Sequence, residues 1–228
     1  MKRSEVNAIL EAAAETMAAY RIHLPPFAWW SPETFRARRE RAARIVEARM
    51  GWDVTDYGQG DFARMGLFLF TLRNGHLADL RRGGGMCYAE KLLISRQDQL
   101  SPLHRHEVKA EDIINRGGAT LAVQLYGSDG AGGFAGDRGG TVQCDGLARA
   151  FAPGEVLRLA PGESVTLMPG DWHAFWGEGG DVLIGEVSTV NDDLTDNVFR
   201  EPIGRFSDIE EDVPPRHLLV SDYETWLG

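Results

Sequence analysis

The sequence is poor in cysteine and contains no long apolar run. Cys87 and Cys144 are the only cysteines among 228 residues, too few for a disulfide framework and not spaced as a metal-binding pair. No stretch approaches the roughly 18 consecutive apolar residues that cross a membrane. Residues 1–20 mix charged side chains among alanines, unlike a secretion signal. We therefore expect a cytoplasmic protein with no membrane span.

Basic charge is also scarce. Lysine and arginine number 24 against 34 aspartates and glutamates, which gives a formal net charge of −10. A surface of this sign repels the phosphates of nucleic acids and of anionic lipids. We therefore expect neither a nucleic acid nor a membrane surface as a partner, and we interpret the arginine-rich stretch 36–44 as a solvated helix face.

The chain length suits a single domain, residues 1–228, in three parts. Residues 1–52 form the first part, predicted to be helical. A helix over 5–20 is rich in alanine and glutamate, and a second opens at Ser31 and Pro32, an N-cap followed by a proline, and runs to about residue 50. The other two parts are a β-barrel core over 65–190 and a C-terminal arm over 191–228.

The central part of the chain carries short apolar runs separated by glycine and proline turns, which is typical of a β-sandwich or barrel. Asn74-Gly75 is a favoured hairpin dipeptide. Residues 127–140 hold seven glycines and form either a lid or a long hairpin connection. The predicted strands are 67–72, 88–95, 113–114, 120–126, 156–159, 164–167 and 182–190.

Three histidines and one glutamate are candidate metal ligands. His104 and His106 alternate along a strand and so share one face. Glu111 joins them only if a turn falls between residues 107 and 110, and the Pro-Gly turn before His173 can direct that imidazole towards the pair. Three imidazoles and a carboxylate suit one divalent ion such as Mn, Fe, Co, Ni or Zn. The alternative is that these histidines are structural or exposed.

Two segments resemble the motifs of the cupins. His104-x-His106, four residues, Glu111, six residues and Gly118 match the first motif, and Gly162 through Met168-Pro169-Gly170 to His173 match the second. A narrower resemblance is to the D-lyxose isomerases, carried by Tyr88-Ala89-Glu90-Lys91, by the run from His104 to Gly118 and by the segment 190–197.

The resemblance to the D-lyxose isomerases implies a mainly β fold: a cupin barrel of the jelly-roll type with N-terminal helices. It also implies a homodimer that interconverts D-lyxose with D-xylulose, and D-mannose with D-fructose. Manganese is the activating metal that the resemblance implies. The alternatives are a metal-dependent cupin dioxygenase, since the same ligands suit Fe(II), and a non-catalytic sugar-binding cupin.

The resemblance places Lys109 beside the metal, where its amine would move a proton or hold a substrate hydroxyl. Burial near a cation is expected to favour the neutral amine. Glu201 is the candidate carboxylate base. Each remaining candidate has a structural alternative: Asp193 and Arg205 bind sugar hydroxyls or form an ion pair, and Trp30 and Trp172 face the sugar or fill the core.

Overall fold

The N-terminal segment of the computed structural model, which describes residues 1–227, contains three α-helices and one 3₁₀ turn. They are α1 (Arg3–Ala19), the 3₁₀ turn Pro26–Trp29, α2 (Pro32–Ala37) and α3 (Ala43–Glu47). Ser31 caps α2 as expected, because its hydroxyl accepts from the Thr34 amide. The single helix predicted over 32–50 is wrong, since residues 38–42 form turns. Arginines three residues apart, such as Arg36 and Arg39, repel one another and weaken a continuous helix there.

Eleven strands follow in the described part of the chain, with one helix between the second and the third. The tight Asn74-Gly75 hairpin is therefore wrong: α4 (Leu77–Arg82) lies between β2 and β3. The strands are β1 (Gly51–Thr55), β2 (Leu67–Asn74), β3 (Tyr88–Ser95), β4 (Ser101–His106), β5 (Glu111–Tyr126), β6 (Gly140–Cys144), β7 (Leu147–Phe151), β8 (Val156–Leu159), β9 (Ser164–Leu167), β10 (Trp172–Thr189) and β11 (Asn197–Phe199).

Two long strands, β5 and β10, organise the barrel. They pair antiparallel from Trp172↔Tyr126 to Ser188↔Glu111, and β10 also pairs with β3 and β4. The predicted runs 113–114 and 120–126 are thus parts of one strand with an irregularity between them. Gly118 lies there at φ +100°, and a Cβ at this position would meet the Asp181 carbonyl oxygen at 2.2 Å. Only glycine avoids that clash.

The sheet separates an inner core from an outer one. Leu67 and Leu69 of β2 point into the barrel, where they join a cluster that includes Leu121 and Ile184. Phe68 and Phe70 alternate to the outer face and pack under α1. The first helix therefore covers one outer face of the barrel and does not enter its interior.

The C-terminal arm runs back across the barrel. Its strand β11 pairs with β4, with Asn197 opposite His106, and it ends in α5 (Tyr223–Leu227). Tyr223 packs against Phe35 of α2 in a third apolar cluster. Within residues 1–227, no helix is both long and apolar enough to cross a membrane.

Candidate metal and sugar site

Three imidazoles meet at the barrel interior because β4 and β10 are neighbours. Along β4, His104 and His106 are buried. Leu103, before His104, and Arg105, between the two histidines, are partly exposed. His173 pairs with His104 across the two strands, and their rings lie 4.2 Å apart between centroids. The Pro-Gly turn before His173 docks on β4, because the Gly170 amide donates to the His106 carbonyl at 3.0 Å.

A turn at residues 107–110 brings Glu111 to the same point, as the sequence required. Glu111 opens β5 and is 3 % exposed. Its Oε1 lies 3.1 Å from His173 Nε2 and 3.3 Å from His106 Nε2. The four predicted ligands, distant along the chain, thus converge in one buried cluster.

The donor atoms of this cluster fit a divalent cation. One nitrogen from each of His104, His106 and His173 lies within 4.8 Å of the others. The Nδ1 atoms of His104 and His173 contact the carbonyls of Pro102 and Asp171, at 2.8 and 3.0 Å. A carbonyl only accepts, so these Nδ1 atoms carry the protons and the Nε2 lone pairs remain free to bind a metal.

Several of these donor atoms have no other partner. His106 Nε2, His173 Nε2 and Glu111 Oε1 are buried and make no hydrogen bond, a rare condition that a bound ion relieves. Burial, reinforced by the neighbouring imidazoles, holds the pKa of His104 well below its usual value. The ring is therefore neutral at physiological pH, which is the form that binds a metal.

Lys109 lies beside this cluster in a chain of buried charges. Its Nζ is 2.5 Å from Glu111 Oε2 and 3.0 Å from Glu186 Oε1. Burial alone would lower the pKa of Lys109, but the two carboxylates outweigh it and raise that pKa above its usual value. The two carboxylates thus favour an ammonium at Lys109, in contrast to the neutral amine expected from burial near a cation.

The sequence analysis missed Glu186 as a site residue, and it named Lys91 only within a motif of the family resemblance. Lys91 Nζ lies 3.1 Å from Glu186 Oε1 and 2.5 Å from Asn191 Oδ1. Both residues are fully inside the barrel, whereas Glu90 on the opposite face of β3 is partly exposed and pairs with Arg73. A glutamate within the apolar run 182–190 was the signal, because an unpaired charge is rarely buried.

A second charged group lies in the C-terminal arm and β1. Arg205 Nη2 is 2.7 Å from Asp53 Oδ2 and 3.3 Å from Asp193 Oδ1. Burial opposes ionisation of Asp193, but Arg205 and Lys91 outweigh it and hold the pKa of Asp193 far below its usual value. Arg205 Nη1 and Asp53 Oδ1 are buried without partners. The sequence analysis named Asp193 and Arg205 but not Asp53.

One cavity inside the barrel is lined by residues of the imidazole cluster and of both groups of buried charges. One side is apolar, with Leu67, Leu69 and Phe175. Burial raises the pKa of Tyr57 to about 12, so its hydroxyl stays protonated. The polar residues along the cavity wall are Lys91, Ser101, His104, His106, Lys109, Glu111, Glu186, Asp193, Asn197 and Arg205.

Three predicted residues are not brought to this cavity. Glu201 is 71 % exposed at its side chain. It lies two residues beyond Phe199, which does line the cavity. Trp30 packs on Phe35 in the N-terminal segment, with Arg38 over its ring. Trp172 is buried against Phe134 of the glycine-rich connection. The roles predicted for these three residues are corrected accordingly.

Comparison with solved structures defines the class of the fold. The chain aligns with the L-ribose isomerase from Acinetobacter sp. DL28 in complex with L-ribose over 92 % of its own length and 98 % of that chain, with 17 % identity and a TM-score of 0.62. The Cellulomonas parahominis L-ribose isomerase with L-psicose aligns over the same shares, with 16 % identity and a TM-score of 0.61. The fold is a cupin barrel with N-terminal helices, as predicted.

Sequence comparison then gives the family. The model of the D-lyxose isomerase family matches residues 1–223. A "D-lyxose/D-mannose isomerase" of Serratia proteamaculans is 49 % identical over 100 % of both chains, and one of Escherichia coli O157:H7 is 44 % identical over 98 % of both. The chain belongs to the D-lyxose isomerase family, and it is a sugar isomerase.

Proposed function

We propose that this chain is a metal-dependent aldose–ketose isomerase that interconverts D-lyxose with D-xylulose, and D-mannose with D-fructose. One observation carries the proposal: buried metal-ligand atoms without partners lie beside a buried lysine–glutamate pair in a single cavity. The names of the two relatives support D-lyxose and D-mannose as the aldoses. The contacts of the buried side chains support the chemistry proposed below.

The metal site in this proposal consists of His104, His106, Glu111 and His173. These residues hold one divalent ion, with Mn²⁺ as the first choice and Co²⁺, Zn²⁺, Fe²⁺ or Ni²⁺ as alternatives. When bound, the ion supplies Lewis acidity that stabilises negative charge on the sugar oxygens O1 and O2.

Glu186 replaces Glu201 as the proposed base. Its carboxylate accepts the proton from C2 of the open-chain aldose, exchanges protons with solvent and delivers one to C1, while the hydroxyl proton of O2 passes to O1. The carbonyl thereby moves from C1 to C2 through an enediol, with no net change in atoms. Glu186 suits this role because it is buried and lies 3.0 Å from Lys109 Nζ.

Lys109 supports the same step as a donor. As an ammonium, it offers hydrogen bonds to sugar oxygens that gain negative charge when the C2 proton leaves. Its contacts with Glu111 and Glu186 fix the amine between the metal ligands and the base. We assign Lys109 to oxyanion stabilisation rather than to proton abstraction, because the carboxylates keep the amine protonated.

Arg205 and Asp193 bind the hydroxyls at the far end of the sugar. A sugar hydroxyl both donates and accepts, and two cavity-lining residues offer one group of each kind: Arg205, whose Nη1 has no partner, and the Asp193 carboxylate. The apolar wall formed by Leu67 and Leu69 faces the C–H groups. We propose a homodimer, following the family resemblance, and a cytoplasmic location, following the scarcity of cysteine.

Metal removal tests the proposal. Protein stripped by a chelator is expected to lose D-lyxose isomerisation, and added Mn²⁺ to restore it. Incubation of the Mn²⁺-loaded protein with D-lyxose and with D-mannose in deuterated water, without oxygen, should yield ketoses carrying deuterium at C1. Full activity of metal-free protein would refute the metal dependence.

Two other outcomes would favour the alternatives. Product formation that requires oxygen would favour the dioxygenase. Sugar binding without interconversion of aldose and ketose would favour the non-catalytic cupin.

A further inference from the structure

One nitrogen of the imidazole cluster differs from its counterparts. Nδ1 of His104 and Nδ1 of His173 each contact a backbone carbonyl. Nδ1 of His106 is buried and makes no aligned hydrogen bond. Its nearest charged neighbour is Asp196 Oδ2, at 3.4 Å. His106 is therefore the one ring of the three whose outer nitrogen faces a carboxylate.

Asp196 is held firmly in this position. It is 6 % exposed, and its carboxylate accepts from the amides of Val108 at 2.7 Å and Lys109 at 3.1 Å. Its backbone carbonyl accepts from the Glu107 amide at 3.1 Å. One residue of the C-terminal arm thus fastens the whole turn that separates His106 from Glu111.

We infer that Asp196 is a positioning residue that orients His106 for metal binding, an inference that rests on the metal site of the proposed function. A carboxylate beside Nδ1 favours the tautomer with the proton on Nδ1, which leaves the Nε2 lone pair towards Glu111 and His173. The 3.4 Å separation exceeds the 2.7–3.2 Å of a well-formed hydrogen bond, so the attraction between the ring N–H and the anion is mainly electrostatic.

A matched pair of variants tests this role. Asp196→Asn keeps one acceptor oxygen, for the Val108 or the Lys109 amide, and loses both the charge and the second acceptor. Asp192→Asn makes the same change four residues earlier in the arm, where the carboxylate accepts only from Leu194 and Thr195. The measurement is the dissociation constant of Mn²⁺ with metal-stripped full-length protein, by competition with a chelator and without sugar. We expect Asp196→Asn to bind about 10- to 100-fold more weakly, and Asp192→Asn within about twofold of the parent.

Two results would overturn the inference. One is an unchanged Mn²⁺ dissociation constant in Asp196→Asn. The other is a lower melting temperature of the metal-free variant with unchanged Mn²⁺ affinity, which would make Asp196 a fastener of the turn alone. If the variant loses both Mn²⁺ affinity and thermal stability, ¹⁵N spectra of the parent's imidazoles distinguish the two explanations. The His106 signals are those that disappear in His106→Gln. The Nδ1–H tautomer supports the inference, and the Nε2–H tautomer overturns it.

The same experiment separates this inference from the proposed function. A parent protein that binds Mn²⁺ and isomerises D-lyxose, together with an unaffected Asp196→Asn, refutes the inference alone. A parent protein that binds no divalent ion refutes the metal site and the inference together.

Discussion

Replacement of Glu186 by glutamine tests the proposed proton transfer. The side chain is 5 % exposed, and its Oε1 contacts Lys109 Nζ at 3.0 Å and Lys91 Nζ at 3.1 Å. Glutamine keeps the size and a hydrogen-bond acceptor but cannot take up a proton at neutral pH. The variant therefore removes the base without creating a cavity.

The size of the effect follows from these contacts. A positioned general base contributes about 10²- to 10⁴-fold to rate, so we expect kcat to fall by that factor. Truncation of a buried ion pair destabilises a protein by about 3–5 kcal/mol. Here Lys109 keeps Glu111 and Lys91 keeps Asn191. We therefore expect a smaller loss in the free energy of unfolding, about 1–3 kcal/mol.

The assay measures initial rates of D-xylulose formation from D-lyxose with Mn²⁺-loaded protein, alongside denaturant unfolding. Glu90→Gln is the matched control, since Glu90 is a neighbour on β3 that is 40 % exposed and pairs with exposed Arg73. It should change kcat by less than about twofold and stability by at most about 1 kcal/mol. A Glu186→Gln variant that binds metal and keeps kcat within tenfold of the parent would refute the role of Glu186.

Two further predictions follow from exposure and charge. Glu201→Gln should keep kcat and KM within about twofold of the parent, because its carboxylate is exposed outside the cavity; a hundredfold loss in kcat would restore it as the base. Asp193 has a lower pKa in the folded protein than the value of about 3.9 for an unfolded aspartate. Its ionised form therefore stabilises the fold above about pH 3.9, and this stabilisation is lost as the pH falls. Between about pH 5 and 3, unfolding free energy should therefore fall more steeply in the parent than in Asp193→Asn, by denaturant titration; equal slopes would contradict this.

The parts of the fold that the sequence predicted are those with local signals. Ser31-Pro32 marks a helix start, and glycine and proline turns separate the strands. Strand β1 was missed because all five of its residues, Gly51–Thr55, are buried. A strand buried on both faces shows no alternation, so it does not differ from the end of a helix in sequence.

The cluster of candidate metal ligands was predictable for a similar reason. His104 and His106 are two residues apart, and Glu111 needs only a short turn to reach them. The position of Glu186 in the site was not predictable, because it depends on the register of β10, which puts Glu186 opposite both Lys91 and Ile113. No local spacing encodes that register, and only the charge within an apolar run indicates it.

The C-terminal arm connects the two ends of the site. Its strand β11 pairs with β4, the strand that carries His104 and His106, and the same arm contributes Asp193, Asp196 and Arg205. A contact such as Arg205 to Asp53 spans 152 positions of sequence, so it forms only when the barrel is closed. Barrel strands carry the candidate metal ligands and the proposed base, whereas the groups proposed to face the far end of a sugar lie mainly in the arm. Differences in sugar preference among family members are accordingly expected to lie in the arm and β1 rather than in the histidine strands.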